Sequence, residues 1–244
     1  MRNIGGFIDI HAHILPGIDD GPKNMDETIA MLKIAYEQNI RTIIATPHYA
    51  CGTSNASIEQ LNEVRDKVEA EANKIDKNMK ILLGNELYYS RSVVDALKSN
   101  KALSLAGSRY VLVEFSIREI FDSLYKGLRE IICAGYLPIL AHVERYQCLY
   151  KKEKLINELL ELGCYIQMNN QSILGGILNR EAFDNKKLIE RGFVHFLGSD
   201  CHDVKLRPPC MKAAETNLLR ECDYGIVYKI LHENPSHILA NNYI

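Results

Sequence analysis

The sequence contains no run of lysines and arginines, no C-x-x-C pair, no apolar leader at its start, and no apolar stretch near the roughly 18 residues that a membrane helix needs. Each absence excludes something. Without a basic block, and with a net charge of -2, the chain is a poor candidate for a nucleic-acid binder. Seven cysteines are an odd number in a chain far longer than a disulfide scaffold, and they read as reduced thiols. The opening Met1-Arg2-Asn3-Ile4-Gly5-Gly6 is not a signal segment, so a cytoplasmic protein without membrane insertion is expected. What is present is ordinary for a globular protein: 244 residues, 47% hydrophobic and 25% charged. That length is close to the about 250 residues of a (β/α) barrel, and one domain spanning residues 1–244 is expected.

Seven short apolar runs recur: Phe7–Ile10, Thr42–Ala45, Ile81–Leu83, Tyr110–Val113, Leu137–Ala141, Cys164–Met168 and Val194–Leu197. Continuous apolar runs mark strands buried on both faces, and the gaps between them hold one helix and two loops. Asn24 with Glu27, and Ser57 with Gln60, have the spacing of helix capping boxes. Apolar faces at helical spacing follow, through Ile29, Leu32 and Ala35, through Leu61, Val64 and Val68, and later through Leu124, Leu128 and Ile131. Gly135, Gly163 and Gly192 stand where left-handed helix ends are wanted, so helix-to-strand loops are short. The longer polar loops, Leu15–Asn24, Tyr49–Ser57 and Val204–Cys210, follow strands instead. This asymmetry predicts an α/β barrel, distorted or incomplete with seven strands, whose site lies at the strand C-terminal ends; an open doubly wound sheet is the alternative.

The first run leads into His11-Ala12-His13, and residues two apart in an extended segment point the same way. Alone, this pair is weak evidence. Other runs end alike: Thr46-Pro47-His48, Gly84-Asn85-Glu86, Val113-Glu114, Ala141-His142 and Ser199-Asp200-Cys201-His202. Only the sixth, ending Asn169-Asn170, breaks the pattern. Buried His, Asp and Glu need partners, and a bound cation satisfies several at once. The loop after the first strand adds Asp19 and Asp20, one of which is expected to join the ligands. His195, His232 and His237 lie elsewhere and are expected to be structural.

Together, Asp9-Ile10-His11-Ala12-His13, Leu15-Pro16-Gly17-Ile18-Asp19-Asp20-Gly21, Ala45-Thr46-Pro47-His48, Ala141-His142-Val143-Glu144-Arg145-Tyr146 and Ser199-Asp200-Cys201-His202 resemble the polymerase-and-histidinol-phosphatase (PHP) superfamily. The nearest likeness within it is to the bacterial manganese-dependent protein-tyrosine phosphatases of capsular and exopolysaccharide synthesis. The resemblance implies a distorted (β/α)7 TIM-like barrel of the PHP type and a trinuclear metal centre, with three divalent ions, Mn first and Fe, Zn or Co as options. It implies that His11, His13, Glu86 and Asp200 hold one ion, that Glu86, Glu114 and His142 hold a second, and that Asp20, His48 and His202 hold the third, with Asp19 competing for the loop position. Arg145 and Arg207 are the implied phosphate-binding arginines, a role that suits the guanidinium fork. At Leu206 the sequence departs from the family, which usually has Gly before the second arginine. The implied substrate is a phosphotyrosine protein, a bacterial tyrosine kinase tail.

The expected chemistry is phosphoester hydrolysis by direct attack of metal-bound hydroxide, without a phosphoenzyme, because a phenolate of parent pKa about 10 leaves without a strong acid. A histidinol-phosphate phosphatase or another small-molecule phosphoesterase shares this metal set and is the main alternative. A nuclease is disfavoured by the acidic balance, and a non-catalytic metal-bound interaction module by the full ligand set. Cys201 and Arg207 also match the C-x5-R spacing of thiol phosphatases. The intervening residues hold an acid and no glycine, poor material for a loop that cradles a dianion.

Overall fold

The computed structural model describes residues 6–175 and 179–244. Met1–Gly5, part of the stretch read above as lacking a leader, lies outside them. Among the described residues the strands pair in parallel, and helices fill the crossovers that parallel pairing requires. One sheet joins β1 (Phe7–Ala12), β2 (Ile40–Ala45) and, two strands later in the chain, β4 (Lys80–Leu83). The other runs in the order β3 (His48–Ala50), β5 (Glu86–Tyr88), β6 (Tyr110–Glu114), β7 (Leu137–Leu140), β8 (Tyr165–Asn169) and β9 (Phe196–Gly198).

The seven apolar runs are strands, as expected, but seven continuous strands are not what forms. The second and third runs are each followed by a separate three-residue strand in the other sheet. After β2 the chain passes through Pro47, which has no N–H to offer a ladder. After β4 it passes through Gly84, where a Cβ would meet the Leu105 side chain at 2.7 Å. Backbone bonds span both breaks: Thr46 N–H donates to Ala12 O at 2.9 Å, and Gly84 N–H to Ala45 O at 2.9 Å. At the far side, β1 meets the segment after β9. Ala12 bridges Cys201, Asp200 N–H donates to His11 O at 2.8 Å, and His13 N–H to Cys201 O at 2.9 Å.

Both expected helix starts are present. Asn24 caps α1 (Met25–Glu37) by accepting from Glu27 N–H, although the Glu27 side chain returns to Lys23 N–H and to the Asn24 side-chain amide rather than to the cap's backbone N–H. Ser57 and Gln60 form a complete capping box on α2 (Ile58–Ile75). The short α3 (Val93–Lys98) precedes β6, and α4 (Phe121–Cys133), α5 (Glu153–Leu162) and α6 (Arg180–Glu190) fill the later crossovers. Gly135, Gly163 and Gly192 have φ of +92°, +99° and +75°, the left-handed values their positions require. After β9 come α7 (Met211–Leu218), α8 (Tyr224–Tyr228), a π-helical turn and α9 (Asn234–Ala240), and this end packs on β1 and β9.

Apolar burial is divided. The larger cluster lies between strands and helices. A smaller one joins Ile10, Ile44, Leu112, Ile139 and Phe196, one residue from each of five strands belonging to both sheets. All five are fully buried, and truncating such a side chain to alanine costs about 2–5 kcal/mol. This inner cluster is the floor on which the polar strand ends stand.

Candidate metal centre

Because every strand points the same way, residues just beyond the strand ends meet at one end of the molecule. Glu86, at the start of β5, is the meeting point. Its Oε2 lies 3.2 Å from His11 Nε2, 3.2 Å from His13 Nε2 and 3.1 Å from His48 Nδ1, and its Oε1 lies 3.0 Å from His142 Nε2. The sheet register makes one of these contacts directly, since His48 is opposite Glu86 in the β3–β5 pair. Asp200 closes the group, its Oδ1 3.4 Å from His11 and 3.6 Å from His13. Glu114, at the end of β6, faces His142 at 3.4 Å and His48 at 3.4 Å. A third set gathers around Asp20 Oδ1, 3.3 Å from His48 Nε2 and 3.1 Å from His202 Nε2, with His13 beside it.

The structure thus brings the nine expected ligand residues together, eight of them in three overlapping groups and His142 beside Glu86 and Glu114. It also separates the two adjacent acids. Asp20 belongs to the outer set, whereas Asp19 turns inward, taking His13 Nδ1 at 2.7 Å and the His48 and Gly21 amides. His48 spans two groups, one ring nitrogen toward each. Glu86, His11 and His13 are almost fully buried, while Asp20 and His48 lie at the open side.

Three observations fit this donor set to divalent cations. His11 and His13 point their Nε2 atoms at each other across 3.3 Å, a separation that one ion held at about 2.0–2.2 Å from each ligand would give. The buried Nε2 of His202 has no aligned hydrogen-bond partner. The field also demands positive charge. Burial disfavours a charged His13, yet Asp19 and Glu86 raise it to about 9. Burial opposes His48 and His142 in the same way, and Glu114 and Glu86 lift them to about 11 and about 10. Burial would raise Glu86, but His11, His13 and His142 hold it well below the usual carboxylate range.

Supporting contacts orient the donors. Gln167 Oε1 accepts from His142 N–H at 2.7 Å and faces His11 Nδ1 at 3.3 Å, so His11 offers Nε2 to the centre. Asp9 Oδ1 accepts from the His11 and Ser199 amides, and Asn169 Nδ2 donates to Asp200 Oδ2 at 2.8 Å. The sixth apolar run, the one ending without an acid or histidine, therefore supplies the residues that hold the others. A polar side chain in the middle of an apolar strand was the only signal for Gln167. His142 and Asp200 have φ of +37° and +49°, conformations that cost a non-glycine residue energy and here aim side chains inward. Gly198 lets β9 approach, since a Cβ there would meet His11 Cβ at 2.7 Å.

Arg145 Nη2 donates to Asp200 Oδ2 at 2.7 Å. Arg207 reaches the same carboxylate at 3.9 Å and Asp20 at 3.4 Å, so Leu206 does not keep the second guanidinium from the centre. Between the two arginines lies a polar pocket of about 280 Å³, floored by Asn169, Ser199 and Asp200. Cys201 packs in the larger apolar cluster: it is 1% exposed, and burial pushes its thiol well above the ordinary range, which argues against the thiol phosphatase reading. The remaining histidines are away from the site. His195 exchanges backbone and ring hydrogen bonds with Ile166, His232 packs against Phe7, and His237 lies in α9.

Comparison with known proteins agrees with this geometry. Tyrosine-protein phosphatase CpsB of Streptococcus pneumoniae is 32% identical over 98% of this chain and all of its own length. Tyrosine-protein phosphatase YwqE of Bacillus subtilis is 33% identical over 98% of this chain and 93% of its own. A crystal structure from a study of YwqE and CpsB, described as metal-dependent tyrosine phosphatases, superposes with a TM-score of 0.87 at 32% identity, covering 97% of this chain and 96% of that one. The phosphotriesterase homology protein of Escherichia coli shares the fold alone, with a TM-score of 0.63 at 11% identity. The family model for capsular polysaccharide synthesis proteins CpsB/CapC matches residues 7–240, and the chain belongs to that family.

Proposed function

We propose that this protein is a metal-dependent protein-tyrosine phosphatase of capsular or exopolysaccharide synthesis, its chemistry centred on Glu86. One observation carries the reading: a single buried carboxylate within 3.2 Å of four imidazoles, shared by two donor groups and joined to the third through His13 and His48. The relatives' activity and their dependence on metal support it. The whole chain, 1–244, is read as one domain built on a distorted (β/α)7 barrel. The Ala12–Cys201 bridge and the inner cluster shared by both sheets support closure.

His11, His13, Glu86 and Asp200 would hold one divalent ion, Glu86, Glu114 and His142 a second, and Asp20, His48 and His202 a third. Manganese is the first choice, and imidazole-carboxylate sites also accept Fe, Zn or Co. Such ions, when bound, bring the pKa of a water toward neutrality and offset charge on phosphoryl oxygens. The chain's own residues do the rest. Arg145 and Arg207 bind the phosphoryl oxygens in the pocket between them, and Asp200 holds Arg145 in place until they arrive. The open side near Asp20 and His48 admits the phenyl ring. A phenolate leaves without a strong acid, so the reaction does not depend on a dedicated proton donor.

The substrate proposed is the phosphorylated tail of a tyrosine kinase, met in the cytoplasm. All seven cysteines are free thiols, and among the described residues no helix is long and apolar enough to cross a membrane. The test strips the protein of metal, reloads it ion by ion, and follows phosphate release from phosphotyrosine peptides and from histidinol phosphate. Metal-restored turnover that favours the peptides is expected. No rescue by any ion refutes the phosphatase, and a preference for histidinol phosphate moves it to the small-molecule branch.

A further inference from the structure

Next to the metal centre, between the loop after β9 and the start of α1, runs a groove of about 650 Å³ that the hydrolysis of a phosphate group alone does not use. Its inner end is the centre itself, for Asp20, His202 and Arg207 line both. Its outer wall carries Val204 and Leu206, and its floor is Ala30 and Met31 of α1. Leu206 is 79% exposed, more than any other large apolar side chain among the described residues.

A single exposed leucine is ordinary on a protein surface. This one differs in being held out. Asp203 Oδ1 accepts from the Lys205 and Leu206 amides at 2.6 Å each, His202 N–H closes the loop onto Arg207 O at 3.0 Å, and Gln171 Nε2 donates to Leu206 O at 3.1 Å. A loop tied at four points holds the Leu206 backbone at the rim, and little backbone entropy remains to be lost when a partner covers it. The charges of the groove nearly balance, Lys23, Lys205 and Arg207 against Asp20, Asp26, Glu27 and Asp203, and Ala30, Met31, Val204 and Leu206 give it apolar surface.

We propose that this groove is a specificity subsite that takes an apolar side chain flanking the phosphotyrosine in the substrate protein, with Leu206 and Val204 as its contact residues. The inference rests on the phosphatase reading above. With the phosphoryl group at the centre, the tyrosine side chain brings the peptide backbone to the rim. Neighbouring residues, about 3.3–3.6 Å apart along an extended chain, then lie over the groove.

The experiment measures kcat/KM of the metal-loaded protein and of Leu206→Ser on phosphotyrosine peptides that differ only in the flanking residues: Leu, Ser, Asp or Lys. p-Nitrophenyl phosphate, which has no flanking residues, is assayed in parallel. The wild type is expected to prefer the Leu-flanked peptide over the Ser-flanked one through a lower KM. Leu206→Ser should shrink that ratio about fivefold, the effect of losing roughly half the burial of a leucine side chain. Wild-type indifference to the flanking residue overturns the subsite, as does a preference for Asp or Lys. An equal loss on every substrate, p-nitrophenyl phosphate included, also overturns it, because Leu206 then acts only through the Arg207 loop. A wild type inactive even on p-nitrophenyl phosphate with every metal fails one step earlier, at the phosphatase reading.

Discussion

Gln167 is the residue whose removal tests most directly how the centre is held. Leucine at this position keeps nearly the same volume and loses both polar functions. Three partners are then stranded: the His142 amide, which donated to Gln167 Oε1 at 2.7 Å, His11 Nδ1, which faced the same oxygen at 3.3 Å, and Asn169 Oδ1, which accepted from Gln167 Nε2 at 2.9 Å. Gln167 is fully buried, so no water replaces it. An unsatisfied buried amide costs about 1–3 kcal/mol. At about 2–4 °C per kcal/mol for a chain of this size, the metal-free variant should melt roughly 2–12 °C lower. His11 would also lose the contact that sets its tautomer, and outer partners of this kind change metal affinity by about 10–100-fold. The assay is a titration of metal-free protein against a competing chelator, with phosphatase turnover read at each metal concentration. Gln167→Leu should need about 10–100-fold more free metal for half-maximal activity and recover much of its kcat at saturation. Half-saturation within twofold of the wild type would show that Gln167 does not orient His11 for metal. A kcat that stays low at normal metal content would place Gln167 in the reaction itself.

Cys201→Ser should retain metal-dependent activity, because the thiol is buried away from the centre; lost turnover at unchanged metal content would restore a thiol mechanism. Arg145→Ala should lower kcat/KM by about 10–100-fold through the loss of a charged hydrogen bond to the phosphoryl group, worth about 1.5–3 kcal/mol, and inhibition by inorganic phosphate should weaken with it. Unchanged phosphate inhibition would remove Arg145 from the anion site. His195 gives a pH signature away from the metals. Burial, with Lys229 nearby, lowers its pKa to about 4, so the unfolded chain takes up the proton first, between about pH 6.5 and 4. Stability from this group is therefore flat above about pH 6.5 and falls as pH drops through that window, by about 3 kcal/mol at most and roughly 2 given the ring's partial exposure. Asn offers an acceptor where His195 Nδ1 takes the Ile166 amide, so the melting temperature of His195→Asn should drop less between pH 6.5 and 4.5 than that of the wild type. Parallel curves for the two proteins would show that His195 does not titrate there.

The positions of the strands and of the chemistry at their ends were legible because both are local. An apolar run followed by His or Glu is a pattern within a few residues, and so is the capping box at Ser57. The capping pair at Asn24 was half right, since the return arm from Glu27 goes to Lys23. The strands β3 and β5 were not legible: three residues carry no periodicity, and they form by pairing between segments remote in the chain, with His48 opposite Glu86. Two neighbouring acids in one turn could not be told apart either, because their difference lies in what faces them, His13 for Asp19 and His48 with His202 for Asp20.

Local patterning alone thus carried the alternation of buried strands and capped helices, and it named the candidate ligand side chains at the strand ends. Each of these follows from hydrophobic patterning and side-chain chemistry over short stretches. Only the tertiary structure decided the arrangement: that Glu86 stands at the junction, that Gln167 orients His11 from 156 positions away, that Cys201 is buried, and that Leu206 is held out over a groove. Those are distances between segments remote in the chain, and parallel packing of the strands sets them.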